Sequence, residues 1–368
     1  MGGVLSAPVT IKESGDGDAA SKGLTWGHSC MQGWRVQMED AHFALRSLEG
    51  EGWADTAAFA VMDGHGGKEV ALFCRERLPE ALAKGSSSDA DNALVDAFHK
   101  MDELLDDEEQ SGEALRMLSG GSGERPCPVN PDWVGCTCVV CLVRPDALVV
   151  ANAGDSRAVL SRGKRAVPLS EDHKPNLPGE MDRITRAGGS VERRQVGPIV
   201  HFRVNGNLNL SRSIGDLEYK KNPCLSPPEQ MICATPDVQT FKREPSDEFL
   251  ILACDGVWDV LGNQEAIDFV HERLPEWLSA GRPLSGIMEE MLDHCVSPDL
   301  ALTNGLGGDN MTAMLVVFDQ ASLAGRARAG SEPMTDGASP TPINTLATIE
   351  ERGIQPAGLC SCRPDLPE

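Results

Sequence analysis

Four short apolar runs recur along the chain, each bounded by glycine or aspartate. They are rich in alanine, valine and other residues that pack well on a pleated surface, which is typical of buried β-strands. The predicted strands lie at residues 56–62, 147–153, 248–254 and 311–318.

Longer segments carry apolar residues at the spacing of an amphipathic helix. The predicted helices lie at residues 68–83, 90–105, 263–274 and 284–295, and a shorter one lies within residues 170–189. Pro79 has no amide hydrogen to donate, so we expect it to kink or break the first helix. Strands grouped with such helices predict an α+β fold in which helices cover the sheets.

Composition divides the chain into three parts. Residues 1–21 are small and polar, which predicts a flexible leader. Residues 22–320 contain the recurrent apolar runs, which predict one folded domain. Residues 321–368 are rich in glycine, proline, serine and threonine, which predicts a disordered tail.

The formal net charge is −23. Nucleic acid is therefore not an expected partner, because its binding depends on clustered lysine and arginine. An acidic protein that binds an anionic substrate needs a local positive centre, which bound metal ions supply. The sequence has no long apolar run and no secretory pattern, so we expect an intracellular, cytoplasmic protein.

The twelve cysteines are expected to be reduced thiols, because the chain lacks secretory features. Cys136, Cys138 and Cys141 share an apolar run that contains no histidine, and their spacing does not match paired zinc knuckles. This run predicts buried cysteines in a strand.

Aspartates stand at the ends of the predicted strands. Asp63, Asp155 and Asp255 each follow an apolar run, and Asp309 precedes the run that begins at Met311. Carboxylates gathered at one sheet edge repel one another unless a cation offsets their charge. Oxygen ligands favour Mg²⁺ or Mn²⁺ over zinc. A single Asp-Gly is more often a turn than a ligand, so the pattern alone leaves both interpretations open.

Seven motifs resemble those of the protein phosphatase 2C family, in the family's order. They are residues 32–40 (QGWRVQMED), 61–67 (VMDGHGG), 135–137 (GCT), 152–157 (NAGDSR), 211–216 (SRSIGD), 253–259 (ACDGVWD) and 308–312 (GDNMT). Ser213 and Cys138 depart from the family, where alanine is commoner. The resemblance implies a central β-sandwich of two antiparallel sheets flanked by α-helices. It also implies that residues 22–320 form the catalytic domain of a metal-dependent serine/threonine protein phosphatase.

The resemblance further implies two Mg²⁺ or Mn²⁺ ions in a cleft at one end of the sandwich. Asp63 would bridge both ions, and the Gly64 carbonyl would complete the first. Asp255 and Asp309 would hold the second. The shared water would then be activated for attack on the phosphoryl group.

Three more carboxylates have implied roles. Glu39 and Asp40 would lie just outside the direct ligands of the ions or bind the waters coordinated to them. Asp155, with Asp255, would form a weaker third metal site that some members have. The alternative for Asp155 is a turn aspartate paired with Arg157.

The resemblance assigns other side chains to substrate and catalysis. Arg35 would grip the substrate phosphate, and Arg203 would be a second arginine at the cleft. His65 would protonate the departing serine or threonine oxygen. Thr137 and Asn310 would order the hydrogen bonds of the metal site. Residues 218–240 match a variable flap and are expected to influence which phosphoserine or phosphothreonine proteins are substrates.

The sequence fits other functions less well than that of a metal-dependent phosphatase. A nucleotide phosphate loop is not present in the sequence, and the one cysteine-to-arginine spacing that suggests a cysteine phosphatase encloses an apolar strand without glycine. A pseudophosphatase that binds partners without turnover is the main alternative. A purely structural cation-binding sandwich would leave Arg35 and His65 without a role.

The first six residues, Met-Gly-Gly-Val-Leu-Ser, fit the pattern for N-myristoylation of Gly2. One myristoyl chain gives only marginal membrane binding. The following residues offer no polybasic patch as a second anchor. We therefore expect a monomer that is cytoplasmic and in part reversibly membrane-associated.

Overall fold

The computed structural model describes residues 3–119, 129–196 and 199–319. Within these ranges the strands are β1 (Val4–Ala19), β2 (Leu24–Arg35), β3 (Ala41–Leu45), β4 (Ala57–Met62), β5 (Gly64–His65), β6 (Gly135–Cys136), β7 (Cys138–Val143), β8 (Ala147–Ala153), β9 (Arg157–Arg162), β10 (Arg165–Pro168), β11 (Val191–Val196), β12 (Ile199–Val204), β13 (Ile214–Gly215), β14 (Asp237–Lys242), β15 (Asp247–Ala253) and β16 (Met311–Phe318). The helices are α1 (Glu69–Ala83), α2 (Ala90–Asp106), α3 (Glu108–Leu118), α4 (Pro178–Arg186), α5 (Asp255–Trp258), α6 (Asn263–Ser279) and α7 (Ser285–Cys295).

Two antiparallel sheets form a sandwich. One has the strand order β1-β2-β16-β15-β9-β10, and the other has the order β14-β8-β7-β4-β3. Two smaller antiparallel groups, β13-β6-β5 and the hairpin β11-β12, accompany them. The fold is therefore the α+β sandwich that the sequence predicted.

Strand β4 shows why these runs are apolar throughout. Its odd-numbered residues, such as Phe59 and Val61, pack between the two sheets, whereas Ala58, Ala60 and Met62 pack under helices α1 to α3. Successive side chains of a strand point to opposite faces, so a strand covered on both sides must be apolar at every position.

Strand β16 has the same arrangement on the other side of the molecule. Met314, Val316 and Phe318 face the inter-sheet layer, and Leu315 and Val317 pack with α6 and α7. The order of layers is therefore helix, sheet, sheet, helix. Each fully buried side chain of this kind contributes about 1.5–3 kcal/mol.

The four predicted strands and five predicted helices match β4, β8, β15, β16, α1, α2, α4, α6 and α7 closely except at two prolines, whereas α3, α5 and most of the other strands were not predicted. Helix α1 continues through Pro79 to Ala83, so the predicted break is wrong. Helix α6 likewise continues through Pro275 to Ser279. Packing of each helix on its sheet offsets the single hydrogen bond that a proline removes. The cysteines of β6 and β7 are buried, as predicted.

The predicted flexible leader is also wrong over residues 4–19, which form the edge strand β1 paired with β2. Its small residues are needed for packing, because a Cβ on Gly17 would lie 2.4 Å from the Trp26 ring. Asp16 accepts hydrogen bonds from the amide and hydroxyl of Ser285, at 2.9 and 2.5 Å. These contacts tie β1 to helix α7.

The tail at residues 321–368 and the acylation site Gly2 lie outside the described residues. None of the helices in the described part of the chain is long and apolar enough to span a bilayer.

Candidate metal centre

Carboxylates from both sheets meet at one end of the sandwich. Asp63 follows β4 and Asp155 follows β8, while Asp255 follows β15 and begins α5. One carboxylate oxygen from each of these three residues lies within 4.8 Å of the others. The structure therefore brings together three of the predicted ligands.

A second group adjoins the first through Asp63. It consists of Asp40, Asp63 and Cys254, whose ligand atoms also lie within 4.8 Å of one another. The Thr312 hydroxyl donates to Asp40 Oδ2 at 2.7 Å, but the buried Oδ1 has no hydrogen-bond partner among the described residues. A buried carboxylate oxygen without a partner is costly, and a cation would satisfy it.

The electrostatics of these groups also favour a cation. Burial, reinforced by the neighbouring carboxylates, raises the pKa of Asp63 and of Asp255 well above the usual range. Burial raises the pKa of Asp40 to about 7. The charged form of these three aspartates is therefore unfavourable unless a cation lies beside them.

Lys174 is one such cation, which was not identified from the sequence. Its Nζ donates to Asp155 Oδ2 at 2.5 Å. Burial alone would lower the pKa of Lys174, but Asp155 raises it. Arg157 instead pairs with Asp172 and Asn263, so the alternative that paired Asp155 with Arg157 is wrong.

Arg35 is engaged with a predicted ligand. Its guanidinium donates to Asp309 Oδ2 at 2.5 Å, and the amide of Asn310 donates to Asp309 Oδ1 at 2.7 Å. Asp309 belongs to neither of the two close carboxylate groups. Arg35 and Asp309 lie together beside the centre, since Asp63 and Asp255 also act on the arginine's charge.

Close backbone packing fixes the loop that carries Asp63. A Cβ on Gly64 would lie 2.2 Å from the Glu39 carbonyl oxygen, so only glycine fits there. The Asp63 amide donates to Thr137 Oγ1 at 3.2 Å, and the Thr137 amide donates to the Asp63 carbonyl at 2.9 Å. Asn310 Oδ1 accepts from the Glu39 amide at 3.0 Å. Thr137 and Asn310 thus hold the backbone of the centre.

His65 is oriented by a residue whose role the sequence did not reveal. Its Nε2 lies 2.7 Å from Asp216 Oδ2, and the Ser213 hydroxyl donates to the same oxygen at 2.5 Å. Burial alone would lower the pKa of His65, but Asp216 raises it. The imidazole is therefore favoured in its protonated form, as a proton donor requires.

The turn that carries Asp216 is held from helix α2. Asp102 accepts from the Gly215 amide at 2.8 Å and from Lys220 Nζ at 2.6 Å. Asp216 has the left-handed φ of 51°, a conformation that is costly for a residue with a side chain. The part-buried Asp102–Lys220 pair stabilises this turn.

Arg203 makes its contacts within the β11–β12 hairpin. It lies on β12, opposite Glu192 on β11, and its guanidinium donates to the Asn207 carbonyl. Within the described parts of the chain it forms no hydrogen bond or ion pair with the aspartates of the centre. Its contacts stabilise the end of its own hairpin.

Comparison with known proteins agrees with this geometry. The family model for protein phosphatase 2C matches residues 25–301. Probable protein phosphatase 2C 58 of Oryza sativa subsp. japonica is 41% identical over 349 residues, which cover 86% of this chain and 89% of that protein. Probable protein phosphatase 2C 4 of Paramecium tetraurelia is 40% identical over 319 residues, covering 86% and 98%.

A solved structure is also similar. The crystal structure of a phosphatase from a pathogenic strain of Toxoplasma gondii aligns with a TM-score of 0.63 and 26% identity, covering 84% of this chain and 96% of that one. The chain belongs to the protein phosphatase 2C family. It is a serine/threonine protein phosphatase of a metal-dependent family, and its substrates are phosphoproteins.

The residues of the centre fit divalent cations. Three carboxylates within 4.8 Å of one another, an unpartnered Asp40 oxygen and the glycine-only approach at Gly64 form a set of oxygen donors whose negative charge Lys174 offsets only in part. Hard divalent ions prefer such donors.

Cation binding should be visible in thermal stability. We expect saturating Mn²⁺ to raise the Tm of the wild-type protein by several degrees, because a ligand at a hundred times its Kd contributes about 2.7 kcal/mol. Asp255→Asn should be at least as stable as wild type without metal, since one repelling charge is gone, and should gain much less from Mn²⁺. Asp182→Asn, at an exposed position on α4, is the control. Equal Mn²⁺ shifts in wild type and Asp255→Asn would contradict the assignment.

Proposed function

We propose that the protein hydrolyses phosphoserine and phosphothreonine in proteins with two Mg²⁺ or Mn²⁺ ions at the carboxylate centre. The observation that carries this proposal is the mutual approach of Asp63, Asp155 and Asp255 within 4.8 Å, next to Asp40. A weaker third ion at Asp155 and Asp255 is part of the proposal. It would compete with Lys174 for Asp155.

Asp63, Asp255 and the Gly64 carbonyl would hold the ions, with Asp309, Asp40 and Glu39 around them. When bound, such ions lower the pKa of water and offset the charge of the phosphoryl group. The carboxylates supply the negative charge that retains the ions. Gly64 has no side chain that could obstruct the approach of an ion to its carbonyl.

Arg35 binds the substrate phosphate. Its planar guanidinium can donate to two phosphate oxygens at once, and its present partner Asp309 is free to turn toward a cation. The position of Arg35 next to the carboxylates supports this exchange, because an arriving phosphate and an arriving cation each replace one member of the ion pair.

His65 protonates the leaving group. As the oxygen of water attacks phosphorus, the bond from phosphorus to the serine or threonine oxygen breaks, and that oxygen takes the proton from His65. Asp216 orients the imidazole and favours its charged form. Ser213 and the Asp102–Lys220 pair keep Asp216 in place.

A pseudophosphatase is the less favoured function. Its mark would be the loss of a ligand carboxylate or of the phosphate-binding arginine. Asp63, Asp255, Asp309 and Arg35 are all present, which supports turnover.

Activity should depend wholly on divalent metal. We expect Mn²⁺ or Mg²⁺ to be required for hydrolysis of a phosphothreonine peptide, and chelator to abolish it. Asp63→Ala or Asp255→Asn should lose at least about a hundredfold, the order seen when a charge-stabilising element is removed. Phosphate release assays measure this, and full activity in excess chelator would refute the mechanism.

The leaving group separates proton donation from phosphate binding. His65→Ala and Asp216→Asn should slow the hydrolysis of phosphothreonine peptides far more than the hydrolysis of p-nitrophenyl phosphate, whose leaving oxygen needs little protonation. Arg35→Ala should weaken the binding of both substrates, and it should also weaken inhibition by free phosphate. Steady-state kinetics on the two substrates measures how much each variant loses on the peptide relative to p-nitrophenyl phosphate. Equal losses on both substrates in His65→Ala would count against the donor role.

We further propose a monomer, cytoplasmic in part and reversibly membrane-associated through an acylated Gly2. The support is the sequence pattern at residues 1–6. One acyl chain binds membranes with an association constant on the order of 10⁴ M⁻¹. In fractionated eukaryotic cells, Gly2→Ala should be fully soluble. Identical distributions of the two proteins, with no fatty-acid label on the intact one, would remove the proposal.

A further inference from the structure

A cavity of about 350 Å³ opens between the flap and the segment before β6. We call it the Trp133 pocket. The residues that line it include Trp133, Glu218, Tyr219, Lys221, Asn222 and Gln230. Its volume is in the range of sites that take up small molecules or single side chains.

Two aromatic side chains form one wall of the pocket. Trp133 and Tyr219 meet edge to face, with ring centroids 6.0 Å apart. Trp133 remains 54% exposed, although a large apolar side chain is normally covered. Rigid aromatic rings that stay exposed at the edge of a cavity are typical of binding anchors.

The same peptides that support these rings also hold His65. Gly135 pairs with His65, and the Trp133 carbonyl lies against Gly66, where a Cβ would approach it to 2.4 Å. The Asp216 amide donates to the Val134 carbonyl at 3.1 Å, and the Tyr219 amide donates to the Asp216 carbonyl at 3.0 Å. The pocket is therefore built on the same backbone as the loop that carries His65.

The polar groups of the pocket already have partners. Lys221 is paired with Asp132 and Glu218, each at 2.8 Å. The amide nitrogen of Gln230 donates to the carbonyls of Asn222 and Leu225. Because Lys221 already engages both carboxylates and the Gln230 amide is already bonded, the surface left for an occupant is mainly apolar.

We propose that the Trp133 pocket receives an apolar side chain of the phosphoprotein substrate, close in sequence to the phosphorylated residue. This inference rests on the proposed phosphatase function and adds a preference to it. The occupant is a substrate segment because the pocket adjoins His65, over which the phosphorylated residue must lie. The side chain is apolar because Lys221 already engages both carboxylates at the rim, so a buried charged side chain would have to compete for its partner.

The test uses a set of phosphothreonine peptides with alanine at all flanking positions or with one leucine, placed in turn at positions from about −3 to +3. We expect one position to raise kcat/KM by about tenfold, the order for an apolar group in a fitting pocket. Trp133→Ala should remove that gain, and Trp133→Phe should retain part of it. Hydrolysis of p-nitrophenyl phosphate should stay unchanged in both variants, which also shows that they are folded.

Met117→Ala is the control, because it removes another highly exposed apolar side chain, on α3. It should leave the gain in kcat/KM from each leucine position unchanged. If leucine gives no gain at any position in the wild type, or if the gain survives in Trp133→Ala, the pocket proposal is overturned while the phosphatase function stands. If p-nitrophenyl phosphate slows in parallel with the peptides, Trp133 supports the catalytic loop instead. If wild type with Mn²⁺ hydrolyses neither substrate, the proposed function itself fails.

Discussion

Repulsion among buried carboxylates is the constraint on which the rest of the structure depends. Asp63, Asp155 and Asp255 arrive from two different sheets and meet at a partly buried site, where water screens their charges only in part. A flexible protein would relax by moving them apart. This one cannot, because the strands behind them are packed on both faces. The rigid sandwich therefore converts an unfavourable contact into affinity for cations.

The surrounding charges are arranged around that repulsion. Lys174 holds Asp155 and Arg35 holds Asp309, so each positive side chain partly offsets the carboxylates in the absence of metal. At His65 the signs are reversed, because the negative Asp216 raises the pKa of the imidazole and favours its positive charge. Under the proposed function, metal ions and phosphate would replace these internal counter-ions without movement of the backbone.

Much of this could be predicted from the sequence where the local signal was strong. Strands covered on both faces are apolar at every position, which made β4, β8, β15 and β16 recognisable, and the aspartates at their ends pointed to the centre. The small polar residues of β1 suggested a flexible leader, although they are there because Trp26 and His28 pack across them. Local composition does not contain that information.

The missed residues depend on tertiary contacts. Lys174 stands in a charged stretch that resembles any solvated loop, and it meets Asp155 only through the fold. Asp216 ends a matched motif, yet its role requires a left-handed turn stabilised by Asp102 on a distant helix. Pro79 was expected to break a helix that packing keeps intact. In each case long-range packing overrides a local signal.

The most direct test of the central claim is anomalous X-ray diffraction at the manganese edge from crystals soaked in Mn²⁺. The account predicts two strong peaks among the oxygens of Asp63, Asp255 and the Gly64 carbonyl, with the Arg35–Asp309 ion pair broken. A map without peaks at saturating Mn²⁺, with Lys174 and Arg35 still bonded to their aspartates, would contradict it.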